Sequence, residues 1–242
     1  YHYVRDVLKT EFPKIKSITK KEFKYQIEYF KSKYNFIHYN DILECLYGGK
    51  KIKENSFFLT FDDGYSDHYS NVFPILKENN INASFFPISS SFKNKVNDTN
   101  KLHFILASIP SIDYIKKLIL REIDDYKSRG FECGSYDKFF KKFAIKNQYD
   151  DKDTIFVKRL LQHSLPKDLR KKIIKRLFNE FVTTNEEKFS KKLFLTSTQL
   201  KEMKNNGMTI GNHTENHHWL DTLSNSEQIK EMSECSRLER SH

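Results

Sequence analysis

Two short stretches hold the residues whose types and spacing could do chemistry. Asp62-Asp63-Gly64 places adjacent carboxylates directly behind an apolar, aromatic run, Ser56 to Phe61. Two carboxylates at close range raise one another's pKa, so such a pair calls for a proton or a neutralising cation. Taken alone the triplet also reads as a turn, because Asp-Gly is among the commonest turn dipeptides. The second stretch is His213-Thr214-Glu215-Asn216-His217, with His218 beside it. Imidazoles four residues apart can face one way on a single helical turn and bind one cation, a spacing that suits zinc. The chain has 9 histidines in 242 residues, so three within one short stretch argues against a chance surface cluster. Asp63, His213 and His217 would form a two-histidine, one-carboxylate site with a position left for water, as catalytic zinc centres have, and Asp62 is then left as the base.

Such a site requires elements that end on a common rim. Ser56 to Phe61 lacks polar alternation, which predicts a strand covered on both faces and stopping at Asp62. A helix is expected over Tyr69 to Asn79 and a second buried strand over Ala83 to Ile88. Strand, helix, strand in this span is a βαβ unit, whose crossover makes the strands parallel. Upstream, Thr19 and Glu22 stand at capping-box spacing, with Phe23, Ile27, Phe30 and Tyr34 at helical intervals behind them.

From about Ser91 to Leu195 charged stretches carry helical periodicity and few strand signals. Ile112, Ile115, Ile119, Ile123 and Tyr126 make one apolar stripe; Leu169, Ile173, Leu177 and Phe181 make another, with Pro166 near its start. This segment reads as a helical insertion. The α/β pattern resumes with Thr196 and Gln199 as a second capping box, Gly207 as a helix stop and Met208 to Ile210 as a strand leading into Gly211-Asn212-His213. Ser224 and Glu227 open a last helix with Ile229, Met232 and Leu238 as its apolar positions. The expected organisation is therefore α/β: 1–90 as the first part, 91–195 as the helical insertion and 196–242 as the continuation.

Composition narrows the classes. Only 7 Gly and 5 Pro against 21 Phe and 13 Tyr exclude a collagen-like or linker-rich chain, since the aromatics supply the area a core needs. No apolar run approaches the ~20 residues that span a bilayer, and the first residues, Tyr1 to Arg5, show neither a basic n-region with an apolar h-region nor an initiator Met, so any signal has been removed or the chain is a piece. A net charge of +10 could mark an anionic partner, but the lysines are spread along the chain without the basic-plus-aromatic signature of a nucleic-acid module, so solvated helix faces are the stronger reading and no nucleic acid is expected. Cys45, Cys133 and Cys235 lie far apart and read as unpaired thiols.

Thr60-Phe61-Asp62-Asp63-Gly64 resembles the first signature of the polysaccharide deacetylase family (carbohydrate esterase family 4), and His213-Thr214-x-x-His217 resembles its second. Tyr1-His2-Tyr3-Val4, the helix holding Phe23 and Tyr29-Phe30, and Pro74-Ile75-Leu76 through Ala83-Ser84-Phe85-Phe86 sit in the order that family shows. The resemblance covers roughly 1–90 and 196–242. It implies a distorted (β/α) barrel and a metal-dependent hydrolase that removes N-acetyl groups from an amino sugar of a cell-surface polysaccharide or its precursor. It also implies Asp62 as general base, Asp63 as carboxylate ligand, and His213 and His217 as imidazole ligands of a divalent metal; the histidine spacing favours Zn2+, with cobalt, nickel and iron left open because such sites accept several ions. Thr214 would steady a substrate or product acetate, or serve simply as a loop hydroxyl.

The departures are as specific as the match. The family's Arg-x-Pro-aromatic, Asp-Trp and Leu-x-His segments, the last of which supplies the general acid, do not follow His217. Leu161-Gln162-His163 has the last pattern but lies within the insertion. The barrel is therefore expected to be incomplete, with an open edge available for association, and without that acid the leaving amine would take its proton from Asp62 after it has served as base, or from water; His2, His68 and His218 are stand-ins to test, each read first as an ordinary surface or packing histidine. A related amidase on another C–N amide and a weakly active glycan-binding remnant stay open as readings. So do substrate entry, dimerisation and membrane-surface contact as roles for the insertion, and cell envelope or cytoplasm as location.

Overall fold

A computed structural model describes residues 1–241, with side chains described for 1–233. Helix α1, Lys20–Lys33, starts where the sequence places it: Thr19 accepts from the Glu22 backbone N–H while the Glu22 carboxylate accepts from that of Thr19, a closed capping box. Its buried residues, Phe23 and Ile27, lie one turn apart. Strand β1, Asn35–Phe36, leads to α2, Tyr39–Gly48, which ends at Gly49 in the left-handed conformation. The apolar run then divides into β2, Ser56–Phe57, and β3, Thr60–Asp63, rather than forming one strand. A π-helical turn, His68–Val72, runs into α3, Phe73–Glu78, and the chain returns as β4, Ser84–Pro87.

Six helices follow: α4, Asp98–Ser108; α5, Ile112–Ser128; α6, Tyr136–Phe143; α7, Lys152–Arg159; α8, Lys167–Phe181; and α9, Glu186–Leu193. The chain ends with α10, Ser197–Asn205, β5, Thr209–Ile210, and α11, Asn225–Ser241. Among the described residues no helix is long and apolar enough to cross a membrane.

The backbone divides into two compact units, one of 1–95 with 187–242 and one of 96–186. In the first, β3, β4 and β5 form a parallel sheet in that order, with Phe61 opposite Phe85 and Phe85 opposite Ile210. A separate parallel pair joins β1 to β2. The described strands do not close into a barrel; they make an α/β unit with parallel sheets. Phe61, Phe85, Leu59, Leu76 and Met203 are buried in one apolar cluster with Phe23 and Ile27 of α1, and the Phe61 and Phe85 rings stack at 4.8 Å. Burial of this kind, at about 25 cal/mol per Å² of apolar surface, holds the strand ends in place.

The second unit is helical. Ile115, Ile119, Ile123 and Tyr126 of α5 are buried as the stripe requires, as are Leu169, Ile173 and Leu177 of α8, whereas Ile112 and Phe181 at the ends of the stripes are only partly covered. Glu122 of α5 is buried too, and Lys172 and Arg176 of α8 meet its carboxylate at 2.6 and 3.2 Å. A buried carboxylate persists only with such partners.

Helix α11 differs from expectation. Ile229 and Met232 are 68% and 53% exposed, and among the described side chains of this helix the buried one is Glu231. The apolar period states which residues share a face, not which face docks. Leu238 and the side chain of Cys235 lie outside the described residues; Cys45 and Cys133 are free thiols.

Candidate metal centre

Strand alternation sets the two acids apart. On β3, Phe61 and Asp63 are buried while Asp62 between them is half-covered, so the carboxylates leave the strand in different directions. Asp63 sits at φ 71° and Gly64 at 72°. Left-handed backbone is uncommon for a residue with a side chain, though Asp tolerates it better than most, and here it turns the Asp63 carboxylate toward the histidine loop. The Tyr65 hydroxyl donates to Asp63 Oδ2. Oδ1 lies 3.4 Å from His213 Nε2 and 3.7 Å from His217 Nε2.

The histidines do not sit on a helical turn. Residues 211–219 form a loop, and their convergence comes from left-handed backbone at Thr214 (φ 64°) and His217 (φ 59°). Asn212 Oδ1 accepts from the Thr214 N–H at 2.7 Å, and Thr214 Oγ1 accepts from the His217 N–H at 3.0 Å. Such side-chain to backbone bonds replace the helical ladder. They also give the Thr214 hydroxyl a role inside the loop. The N–H groups of Ser89 and Ser90, just beyond β4, donate to the carbonyls of Thr214 and Glu215. The loop is thereby tied to the end of the strand next to β3.

One ligand atom from each of Asp63, His213 and His217 lies within 4.8 Å of the others, a grouping able to hold a metal ion. The donor set fits the ion. Bonds of ~2.1 Å at tetrahedral angles place neighbouring ligand atoms roughly 3.4 Å apart, close to the separations of 3.4 and 3.7 Å from Asp63 Oδ1 to the two imidazoles. Ligands must also be in their deprotonated forms. Burial drives the Asp63 pKa up, but hydrogen bonds from His213 and Tyr65 and the charges of His217 and His2 outweigh it and hold the carboxyl well below the usual range. Burial lowers the His217 pKa, favouring the neutral ring, and the Asp63 charge only partly opposes it. At His213 burial also acts downward, but hydrogen bonding and charge from Asp63, with Asp62, win and raise it.

Asp62 lies beside this group without joining it, and its Oδ2 faces His2 Nε2 at 3.8 Å. The backbone puts His2 there: the Asp62 N–H donates to the Tyr1 carbonyl at 3.0 Å, and His68 Nε2 donates to the His2 carbonyl at 2.8 Å. His68 is wholly buried against Phe61, Tyr65 and Phe85. Burial pushes its pKa down to about 4 although the His2 carbonyl opposes this, so the ring is neutral with its proton on Nε2. Of the three stand-in histidines, His2 is therefore the one facing Asp62. His68 is a packing and anchoring residue, and His218 Nδ1 is engaged at 2.8 Å by Glu231. His163 belongs to the helical unit, where its ring meets Phe143 edge-on.

Sequence reasoning passed over two residues of this neighbourhood, Tyr65 and Glu231. Tyr65 follows the acidic triplet directly and could have been suspected from that position; a lone Glu within a charged helix carries no comparable signal.

Comparison with known proteins gives a match to the family model described as polysaccharide deacetylase, over residues 49–135 and 147–240. A Bacillus subtilis (strain 168) protein, YxkH, named for polysaccharide deacetylase activity, is 41% identical over 46 residues, which are 19% of this chain and 16% of that protein. The Streptococcus pyogenes deacetylase PplD in complex with acetate aligns at TM-score 0.48 and 16% identity, covering 98% of this chain and 64% of that one. The deacetylase domain of BpsB from Bordetella bronchiseptica aligns at TM-score 0.46 and 16% identity, covering the whole of this chain and 73% of that one. The chain thus spans a small part of its curated relative and under two thirds of PplD.

Proposed function

We infer that this chain, which belongs to the polysaccharide deacetylase family, is a metal-dependent hydrolase that removes N-acetyl groups from an amino sugar of a cell-surface polysaccharide or its precursor. The observation that carries this reading is the meeting of Asp63, His213 and His217 from two stretches far apart in the sequence, with Asp62 adjacent and left out of the group. Asp63, His213 and His217 would hold the metal, Zn2+ by the nature of the donor set. When bound, a divalent ion of this kind supplies acidity to water and polarises an amide carbonyl.

The chain's own residues do the rest. Asp62, half-covered at the strand end, takes a proton from the attacking water. Asp63 stays ionised, and its second oxygen is fixed by Tyr65, so the carboxylate cannot rotate away. An amine is a poor leaving group and needs a proton as the C–N bond breaks. His2, on the solvent side of Asp62, is placed to supply it. The parallel strands that carry these residues are read as part of a distorted (β/α) barrel, with 96–186 as an inserted helical unit.

The test is elemental analysis of the purified chain together with acetate release from an N-acetylglucosamine oligosaccharide. Zinc at one ion per chain, with acetate release abolished by EDTA and restored by Zn2+, is the expected result. A metal-loaded chain that leaves N-acetylated sugars intact but hydrolyses a formamide or cyclic amide would transfer it to the related amidases. One inert toward every amide would leave a glycan-binding remnant.

A further inference from the structure

We propose that Glu231 of α11 is a positioning residue of the metal centre: it holds the histidine loop in its ligating shape through Asn216 and His218, although it contacts no ligand itself. This rests on Asp63, His213 and His217 being the metal ligands.

The loop between the two imidazoles cannot hold itself by regular structure. It contains two left-handed residues, one of them His217 itself, and each such residue prefers to relax unless its surroundings fix it. Glu231 supplies that fixation. Its Oε2 accepts from the Asn216 N–H at 2.8 Å, and its Oε1 accepts from Asn216 Nδ2 at 2.8 Å. His218 Nδ1 meets the same Oε1 at 2.8 Å. The Glu231 carbonyl accepts from the Glu215 N–H at 3.0 Å, so main chain and side chain together hold Glu215, Asn216 and His218. One carboxylate thus brackets His217 from the residue before it and the residue after it.

Burial makes the arrangement consequential. Glu231 is 5% exposed on a helix whose neighbouring Ile229 and Met232 face solvent. A helix that buries a carboxylate while exposing Ile229 and Met232 is docked at this point for a polar purpose, because an ionised group left without partners in that position is strongly disfavoured. Charge-assisted bonds to a main-chain N–H are among the stronger ones available. Engaging Nδ1 of His218 also keeps that ring off the metal group, of which it is not a member. The arrangement selects His217 over its neighbour as the ligand.

The experiment measures Zn2+ affinity of the whole chain by competition with a chromophoric chelator, with the Co2+ absorption spectrum as a second readout. Glu231→Gln keeps one acceptor oxygen and Glu231→Met keeps none. Outer-shell partners of ligands are worth about 10- to 100-fold in metal affinity, so Zn2+ binding should weaken about 10-fold in Glu231→Gln and about 100-fold in Glu231→Met, with an altered Co2+ spectrum in both. His218→Ala, which leaves Asn216 held, should stay within a few-fold of the wild type. If Glu231→Met does not fold, Glu231→Gln alone decides. Unchanged Zn2+ affinity and Co2+ spectrum, even with a lowered melting temperature, overturn the proposal by reducing Glu231 to a structural role. Failure of the underlying reading shows separately, as a His213→Ala variant that still binds Zn2+ with wild-type affinity.

Discussion

Asp62 and Asp63 are neighbours with the same side chain, and the strand gives them different surroundings. Asp63 is 2% exposed and bonded to Tyr65, whereas the Asp62 side chain is 30% exposed and faces His2. Substitutions should separate them. Asp63→Ala or His213→Ala should reduce bound zinc to background in elemental analysis. Asp62→Asn should retain a full complement of zinc while losing about 10²- to 10⁴-fold in acetate release, the range for removing a general base. Equal zinc in all three variants would dissolve the assignment. His2 invites a different measurement, because protonating a leaving group matters only when that group leaves poorly. His2→Ala should therefore slow the N-acetyl sugar by about 10²-fold or more and spare an activated phenyl acetate, which departs without a proton. Equal losses on both substrates would make His2 a binding or folding residue.

The elements that carry these residues meet at tight places, and at Gly64 the close neighbour includes backbone. A Cβ there would stand 2.6 Å from Pro87 Cβ and 2.9 Å from Pro87 Cα, at a φ of +72°. Gly49 provides the comparison, with φ +69° and open space around it. Gly49→Ala should cost about 1 kcal/mol, the backbone component alone. Gly64→Ala should cost at least about 2 kcal/mol more, because β3 and β4 must also part to make room, and denaturant midpoints measure both. This close approach of two strands is a tertiary fact, and it marks the boundary of what was legible in the residues. Capping boxes at Thr19 and Thr196 were legible because they close within four residues. The parallel pairing of β3 and β4 was legible because a short crossover allows little else. The nearness of Asp63, His213 and His217 was legible from type and spacing, and the structure brings the three together with Asp62 beside them. The loop conformation that achieves this was not, since a spacing of four fits a helical turn as well as a loop bent at Thr214 and His217. The inward face of α11 was misread because an apolar rule cannot anticipate a buried Glu231 chosen for its polar partners.

Across the whole molecule, one buried group links the core to the site and makes stability depend on pH. His68 is 0% exposed, and its Nε2 proton is spent on the His2 carbonyl, so a second proton would place a charge among Phe61, Tyr65 and Phe85. Its folded pKa is pushed down from 6.5 to about 4. The unfolded chain therefore takes up a proton near pH 6.5 while the folded one resists until about pH 4. The stabilisation is complete above the unfolded value and drains away as pH falls toward the folded one. Across that window the loss attributable to this ring is on the order of 3 kcal/mol. Other carboxylates and the ligand histidines titrate nearby, so the measurement must be a difference. His68→Gln keeps an N–H donor at the Nε2 position for the His2 carbonyl and cannot be charged. Melting temperatures of the two proteins, both in EDTA, should draw together as pH is lowered from 7 toward 4, with the wild type losing several degrees more than the variant. Parallel curves would mean that the ring is protonated in the folded state, and the neutral anchor holding His2 against Asp62 would have to be abandoned.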